Sequence, residues 1–324
     1  MTTGLSIVAP CYNEEEGLSE FVTRSLRAAA DTGLDYELIL VDDGSSDRTW
    51  HIISDFVVRD QHVRGVRLLR NHGHQLALSA GLSVARGSLV LVIDADLQDP
   101  PELVGQMIAL LIKENASVVY GQRKTRAGET AFKRWTARAF YRFLSWMSNV
   151  DIPQDTGDFR LMTREVVDIL NAMPERHRFI RGMVAWIGGN QVAFLYDRDS
   201  RFAGTTKYPF RRMLWLAVDA ITSFSRRPLA LATYMGLVLM GVSAALVIWA
   251  VIAYLLGDTE KGWTSLMAVI GILFAAQFFV LGIIGEYVGR LFEANQRRPL
   301  FLIASSTGVG LGAVRSSAKS ETAG

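Results

Sequence analysis

Residues 89–101 read Leu89-Val90-Leu91-Val92-Ile93-Asp94-Ala95-Asp96-Leu97-Gln98-Asp99-Pro100-Pro101. Five aliphatic residues in a row are the signature of a strand buried on both faces, which is how strands of a parallel sheet lie between two layers of helices. The acids begin where such a strand leaves the sheet, and that edge is where open α/β proteins bind ligands. Asp94 and Asp96 are two apart, so an extended chain aims both to one side. Together they can hold one hard cation and leave it open to phosphate oxygens. Taken alone, the same pattern also fits a solvated acidic turn.

The stretches before it repeat the pattern. Leu5–Ala9 predicts a short buried strand, closed by Pro10 and followed by Cys11-Tyr12-Asn13-Glu14, where Asn13 is placed to cap a helix carrying Leu18, Phe21, Val22, Ser25 and Leu26 at helical spacing. Tyr36–Val41 predicts a second strand, ending in Asp42-Asp43-Gly44-Ser45-Ser46-Asp47. Val63–Leu69 predicts a third, leading through Asn71-His72-Gly73-His74-Gln75 into a helix reaching Ala85. Alternating units of this length imply a mostly parallel, doubly wound sheet with right-handed crossovers. The first turn lacks the Gly-x-Gly-x-x-Gly of a dinucleotide site, and no P-loop is present. His72 and His74 are spaced as zinc ligands can be, but no further Cys or His supports them, so they read as ordinary loop histidines.

Composition sets the bounds. A chain of 324 residues, half of them apolar, holds one α/β domain of about 200 residues plus a further hydrophobic part. Cys11 is the single cysteine, so no intrachain disulfide forms, and it reads as a small buried apolar residue. The net charge of +2 hides an asymmetry, with bases concentrated between Arg123 and Arg212. That points to an anionic surface or ligand. No secretory leader is read at the N-terminus.

After a strand at Val118–Tyr120, Phe132, Trp135, Ala139, Phe140, Phe143, Leu144 and Met147 form one helical stripe among basic residues. Such a helix, about 130–148, suits a membrane interface or a sheet face equally. Asp155-Thr156-Gly157-Asp158-Phe159-Arg160 reads as a site loop or a helix cap. Residues 198–208 read as a loop able to flex over a phosphate, with Arg201 and Lys207 supplying charge. A juxtamembrane amphipathic helix is expected over 209–227. Pro228–Gly257 and Gly262–Gly285 carry no charge, and each exceeds the about 20 residues that cross a bilayer. Two transmembrane helices are therefore expected over 228–289. Arg226, Arg227, Arg290, Arg297 and Arg298 flank them, which places the 1–208 domain and both termini in the cytoplasm. The tail over 290–324, rich in Ser, Gly and Ala after Ile303, is expected to be largely disordered.

Leu5-Ser-Ile-Val-Ala-Pro-Cys-Tyr-Asn-Glu14, Val41-Asp-Asp-Gly-Ser-Ser-Asp47, Asp94-Ala-Asp-Leu-Gln-Asp-Pro-Pro101 and Thr156-Gly-Asp-Phe-Arg160, in this order, resemble family 2 glycosyltransferases of the GT-A fold. More narrowly, the chain is similar to polyprenyl-phosphate glycosyltransferases, relatives of dolichol-phosphate mannose synthase and of bactoprenol glucosyltransferases, over about residues 4–302. The resemblance implies that Pro10, Tyr12, Glu14, Val41 and Asp43 hold base and ribose. It implies that Asp94, Asp96 and Gln98 hold a Mg2+ or Mn2+ ion and the diphosphate, and that Arg123, Arg201 and Lys207 touch phosphates. Asp158 matches the acid offered as catalytic base. Cys11 and Thr206 depart from the usual residues without disturbing the charges. Two features argue against a processive synthase: Ala131 stands where the Gln of a Gln-x-x-Arg-Trp motif belongs, and only two spans are available to build a channel.

The implied reaction is an inverting transfer of a hexose from a nucleotide sugar to undecaprenyl or another polyprenyl phosphate. UDP-glucose is the first donor, and GDP-mannose, UDP-N-acetylhexosamine or UDP-aminoarabinose are alternatives. A bacterial inner membrane, self-association, a downstream flippase and no nucleic acid complete the expected setting. A phosphate monoester has its second pKa near about 6 and is largely dianionic at neutral pH, so Asp158 is expected to orient groups more than to remove a proton. The alternative from another class is an inert membrane-anchored nucleotide-sugar-binding subunit.

Overall fold

The computed structural model describes residues 4–123, 156–176, 178–197, 227–256, 262–296 and 298–307. These fall into a sheet unit and a helical unit, and residues 298–307 belong to the former. The expected interfacial helix over 130–148, nearly all of the 209–227 segment, and the loop with Arg201 and Lys207 lie outside the described residues.

The sheet unit is built on strands β1 (Gly4–Cys11), β2 (Asp35–Asp42), β3 (Val63–Leu68), β4 (Leu89–Val92), β5 (Val118–Arg123), β6 (Thr156–Thr163), β7 (Gln191–Tyr196) and β8 (Ile303–Thr307). Their order in one sheet is β7-β5-β6-β4-β1-β2-β3-β8. Strands β4, β1, β2 and β3 are mutually parallel, as the alternation of strands and helices predicts. They are joined by α1 (Leu18–Ala30), α2 (Thr49–Arg59) and α3 (His74–Val84). Every residue of β1 is buried. The physical reason is cover on both faces: Leu5, Ile7 and Ala9 share a core with Leu18, Phe21 and Val22 of α1, while Gly81 of α3 packs on Val8 and Val41. Beyond β4 come a 3-10 turn (Pro101–Leu103), α4 (Val104–Lys113), α5 (Arg164–Ala172) and α6 (Ile180–Ile187).

Three expectations are corrected. Residues 156–160 do not form a loop: they start β6, which runs antiparallel between β4 and β5. Asn13 does not cap α1, whose N-cap is Gly17; it adopts φ 55° and accepts a hydrogen bond from the Ser46 amide instead. The C-terminal segment is not wholly a disordered tail, because Ile303–Thr307 pairs antiparallel with β3 as β8, and the Leu69 amide donates to the Leu302 carbonyl at 2.8 Å. The serine-rich composition hid this strand, whose role is to cover an otherwise unpaired edge.

The helical unit contains α7 (Arg227–Leu255) and α8 (Trp263–Asn295), which pack on each other. Both are long and apolar enough to cross a membrane, with windows at Ala232–Trp249 and Val269–Glu293 of mean hydropathy 1.8 and 2.1. Helix α8 runs past the expected boundary at 289, and an ion pair between Arg290 and Glu286 at 2.9 Å spans that boundary.

Candidate active site

The site lies where the parallel strands end. The turns after β1 and β2 are laced together: the Asn13 amide donates to Ser45 Oγ at 3.0 Å, the Glu14 amide to Thr49 Oγ1 at 2.9 Å, and the Arg48 amide to Glu15 Oε2 at 3.0 Å. Tyr12 stands half-exposed on this surface. Pro10 and Val41 are buried at the strand ends, and Glu14 is partly buried. Cys11 is buried and burial pushes its thiol well up, so it is an inert core residue, as expected.

Asp43 ties the second turn to the third. Its carboxylate, 2% exposed, accepts from the His72 amide at 2.7 Å and the Gly73 amide at 2.9 Å. Burial outweighs these bonds and raises its pKa. This close approach requires Gly44: its φ is +68°, and a Cβ there would lie 2.6 Å from the Arg70 carbonyl carbon and 2.7 Å from the Asn71 amide nitrogen. Both obstacles are backbone and cannot swing aside. Gly44→Ala is therefore expected to lose about 2–3 kcal/mol of stability, combining an unfavourable φ with overpacking, read as a fall in the thermal midpoint.

In the acidic turn, burial keeps alternating past the end of β4. Ala95, Leu97 and Asp99 point inward, while Asp94, Asp96 and Gln98 are partly exposed, so the three residues expected to act together share one side. The Gln98 amide donates to Asp96 Oδ1 at 3.1 Å. Asp94 Oδ1 is buried without a hydrogen bond. Burial, with Asp158, Asp99 and Asp96 near, pushes Asp94 up to about 6 against the pull of His74.

Asp158 reaches the same place from β6. Val92 pairs with Arg160 in the antiparallel ladder, so two steps further on the register sets Asp94 opposite Asp158. The Asp158 carboxylate is fully engaged. Arg181, in the first turn of α6, donates through Nε to Oδ1 at 2.7 Å and through Nη2 to Oδ2 at 3.2 Å. Gln75 Nε2 donates to Oδ2 at 3.2 Å, and His74 Nε2 lies 2.9 Å from the same oxygen. Gln75 in turn accepts from the Ile180 amide at 2.8 Å, which links α3 to α6. Burial works against the Asp158 charge, but Arg181 and His74 more than compensate and hold the carboxyl well below its usual range.

His74 bridges the two acids, with Nε2 at 3.6 Å from Asp94 Oδ1. Burial opposes its charge, but the bond to Asp158 and the charges of Asp94 and Asp158 raise it to about 9, so at neutral pH it is an imidazolium that donates. Arg160 is buried, with Nη2 donating to the Gly157 carbonyl at 3.1 Å; desolvation lowers it to about 10.

Reading the sequence missed His74, Gln75 and Arg181. For the first two a signal existed, since they open a helix at the same strand-end edge as the other turns. Arg181 carries no local signal. Arg123 closes β5, while Arg201 and Lys207 lie outside the described residues. The arrangement presents a carboxylate edge beside a locked cationic cluster, which suits holding and neutralising a polyanionic ligand.

Comparison with known proteins shows the family. The model of glycosyl transferase family 2 matches residues 6–170. The glycosyltransferase YkcC of Bacillus subtilis (strain 168) is 45% identical over 306 residues, covering 94% of each chain. The prophage bactoprenol glucosyl transferase homolog of Escherichia coli (strain K12) is 36% identical over 300 residues, covering 92% of this chain and 98% of that one. Among solved structures, mannosyl-3-phosphoglycerate synthase from Rubrobacter xylanophilus superposes with a TM-score of 0.47 at 17% identity, over 69% of this chain and 74% of that one. With a family match over half its length and relatives aligned over more than nine-tenths of it, the chain belongs to glycosyl transferase family 2 and is a glycosyltransferase.

Proposed function

We propose that this enzyme transfers a hexose, glucose from UDP-glucose in the first instance, to a polyprenyl phosphate held in a membrane. One observation carries the reading: the likeness to bactoprenol glucosyl transferases extends over the acidic site and both long apolar helices together. An acceptor confined to a bilayer needs an enzyme that stays on it, and α7 and α8 supply the anchor. The arginines flanking them support a cytoplasmic position for both chain termini.

A divalent cation, Mg2+ or Mn2+, fits Asp94 and Asp96. Both are hard oxygen donors, Asp94 Oδ1 is buried with no hydrogen bond, and a carboxyl held near pKa 6 by burial gains from a cation in place of a proton. Gln98 shares their side of the turn. Donor phosphate oxygens and water would complete the coordination of a hard cation held by two carboxylates. When bound, the cation neutralises charge on the departing diphosphate.

The bond from the anomeric carbon to the donor phosphate oxygen breaks, its electron pair leaving with the nucleoside diphosphate, while an acceptor phosphate oxygen bonds to the opposite face. One displacement inverts configuration. The acceptor is largely dianionic at neutral pH and needs no base. Asp158, with four donor contacts, is unsuited to take a proton; its work is to fix His74 and Arg181 as cationic donors beside the reacting phosphates.

The test is incubation of the purified full-length protein with undecaprenyl phosphate, Mg2+ or Mn2+, and a panel of labelled nucleotide sugars. A lipid-linked glucose formed with release of UDP is expected. UDP binding without lipid product from any donor would instead mark a nucleotide-sugar-binding subunit.

A further inference from the structure

Tyr196, the last residue of β7, is 3% exposed and touches both halves of the site. Its hydroxyl donates to Oδ1 of the fully buried Asp99, which sits in the acidic turn one residue beyond Gln98. Its ring meets that of Phe159 edge-on, with centroids 5.5 Å apart and planes at 63°. Phe159 directly follows Asp158 on β6. The packing has no slack: a Cβ on Gly121 of β5 would lie 2.7 Å from Phe159 Cδ1 and 2.9 Å from Tyr196 Cε1.

The turn itself needs an anchor. Leu97, between Asp96 and Gln98, has φ 58°, a left-handed conformation that a branched aliphatic side chain adopts only when its surroundings enforce it. Leu97 is buried, and Asp99 follows two residues later, so the bond from Tyr196 fixes the inward-pointing side of the same turn whose other side presents Asp94, Asp96 and Gln98. A buried tyrosine–carboxylate bond can be purely structural, but here the carboxylate belongs to the turn proposed to hold the cation, and the ring packs beside Asp158. Tying both to one side chain sets their separation.

We propose that Tyr196 is a positioning residue for metal binding: by anchoring Asp99 and packing on Phe159, it holds the strained turn of Asp94, Asp96 and Gln98 in register with Asp158. This rests on the reading of that turn as a divalent-cation site. Outer-shell groups of this kind contribute about 10–100-fold to metal affinity.

The experiment uses the full-length protein in detergent, with Mn2+ titrated at saturating UDP and free Mn2+ followed by its electron paramagnetic resonance signal, in wild type and Tyr196→Phe. The substitution keeps the ring and removes only the hydroxyl. Tyr196→Phe is expected to weaken Mn2+ binding about tenfold and to lower kcat by a similar factor, with the KM for undecaprenyl phosphate unchanged. Mn2+ affinity within threefold of wild type overturns the proposal, whatever the thermal midpoint of the variant. If loss of the bond to Asp99 prevents folding, the double variant Tyr196→Phe with Asp99→Leu removes both members of that bond, and the same two outcomes apply. Wild-type protein that binds no Mn2+ overturns the cation-site reading and this inference with it; equal binding by wild type and variant overturns this inference alone.

Discussion

Asp96→Ala is expected to lower kcat/KM for sugar transfer by ~10³-fold or more while the protein still inserts and folds. The size follows from what the carboxylate is proposed to do. A bound cation supplies several kcal/mol of charge stabilisation where negative charge builds on the diphosphate, and each 1.36 kcal/mol is about tenfold in rate. Losing one of two carboxylate ligands removes most of that. The cost to folding is smaller by comparison, because Asp96 is partly exposed and its bond to the Gln98 amide is local, worth about 0.5–1.5 kcal/mol. The two effects separate in one experiment: lipid-linked product is measured alongside the thermal midpoint and the amount of protein in the membrane fraction. An Asp96→Ala protein that turns over like wild type would overturn the cation-site reading. A protein that neither folds nor inserts would show that the acid is structural.

The sequence was most informative where the signal is local. Aliphatic runs such as Leu5–Ala9 and Leu89–Ile93 announced buried strands because cover on both faces leaves no polar alternation to confuse. The acids after them were found for the same reason. What failed depended on partners far along the chain. Asp155–Arg160 looked like a site loop or a helix cap because two acids around Gly157 interrupt the apolar pattern, and only pairing with β4 and β5 makes Thr156–Thr163 a strand. Ile303–Thr307 is polar because it lies on a sheet edge, where one flank meets water. His74 was set aside for want of a zinc partner, whereas its partner is a carboxylate 84 residues away. Arg181 is 23 residues from Asp158 on another element, and nothing in its neighbours marks it.

That misreading of His74 bears on Asp158→Asn, the second large effect. If Asp158 were the base that deprotonates the acceptor, the variant would regain its rate at high pH, where the acceptor phosphate is fully ionised. The geometry predicts no such recovery. The carboxylate accepts from Arg181, His74 and Gln75, and a neutral amide in its place leaves the charges of His74, Arg181 and Arg160 crowded together without their counter-ion. Removing one partner of a buried ion pair costs about 3–5 kcal/mol, and misplacing His74 and Arg181 is expected to lower kcat by ~10²-fold or more at every pH. The pH dependence of stability supplies the sign. Asp158 is held below its unfolded value, so its contribution is present above about pH 4 and is lost as acid protonates it. His74 is raised from 6.5 to about 9, so its contribution is complete below pH 6.5 and fades as pH rises through 9. Wild-type protein should therefore lose stability between pH 6.5 and 9, and Asp158→Asn, in which His74 has lost its strongest partner, should be less stable throughout but flatter across that window. Thermal unfolding at stepped pH measures the slope, and the rate of lipid-linked product over the same range measures recovery. Rate restored at high pH with an unchanged stability slope would make Asp158 the base; a depressed rate with a flattened slope would make it the counter-ion that holds His74 and Arg181 in place.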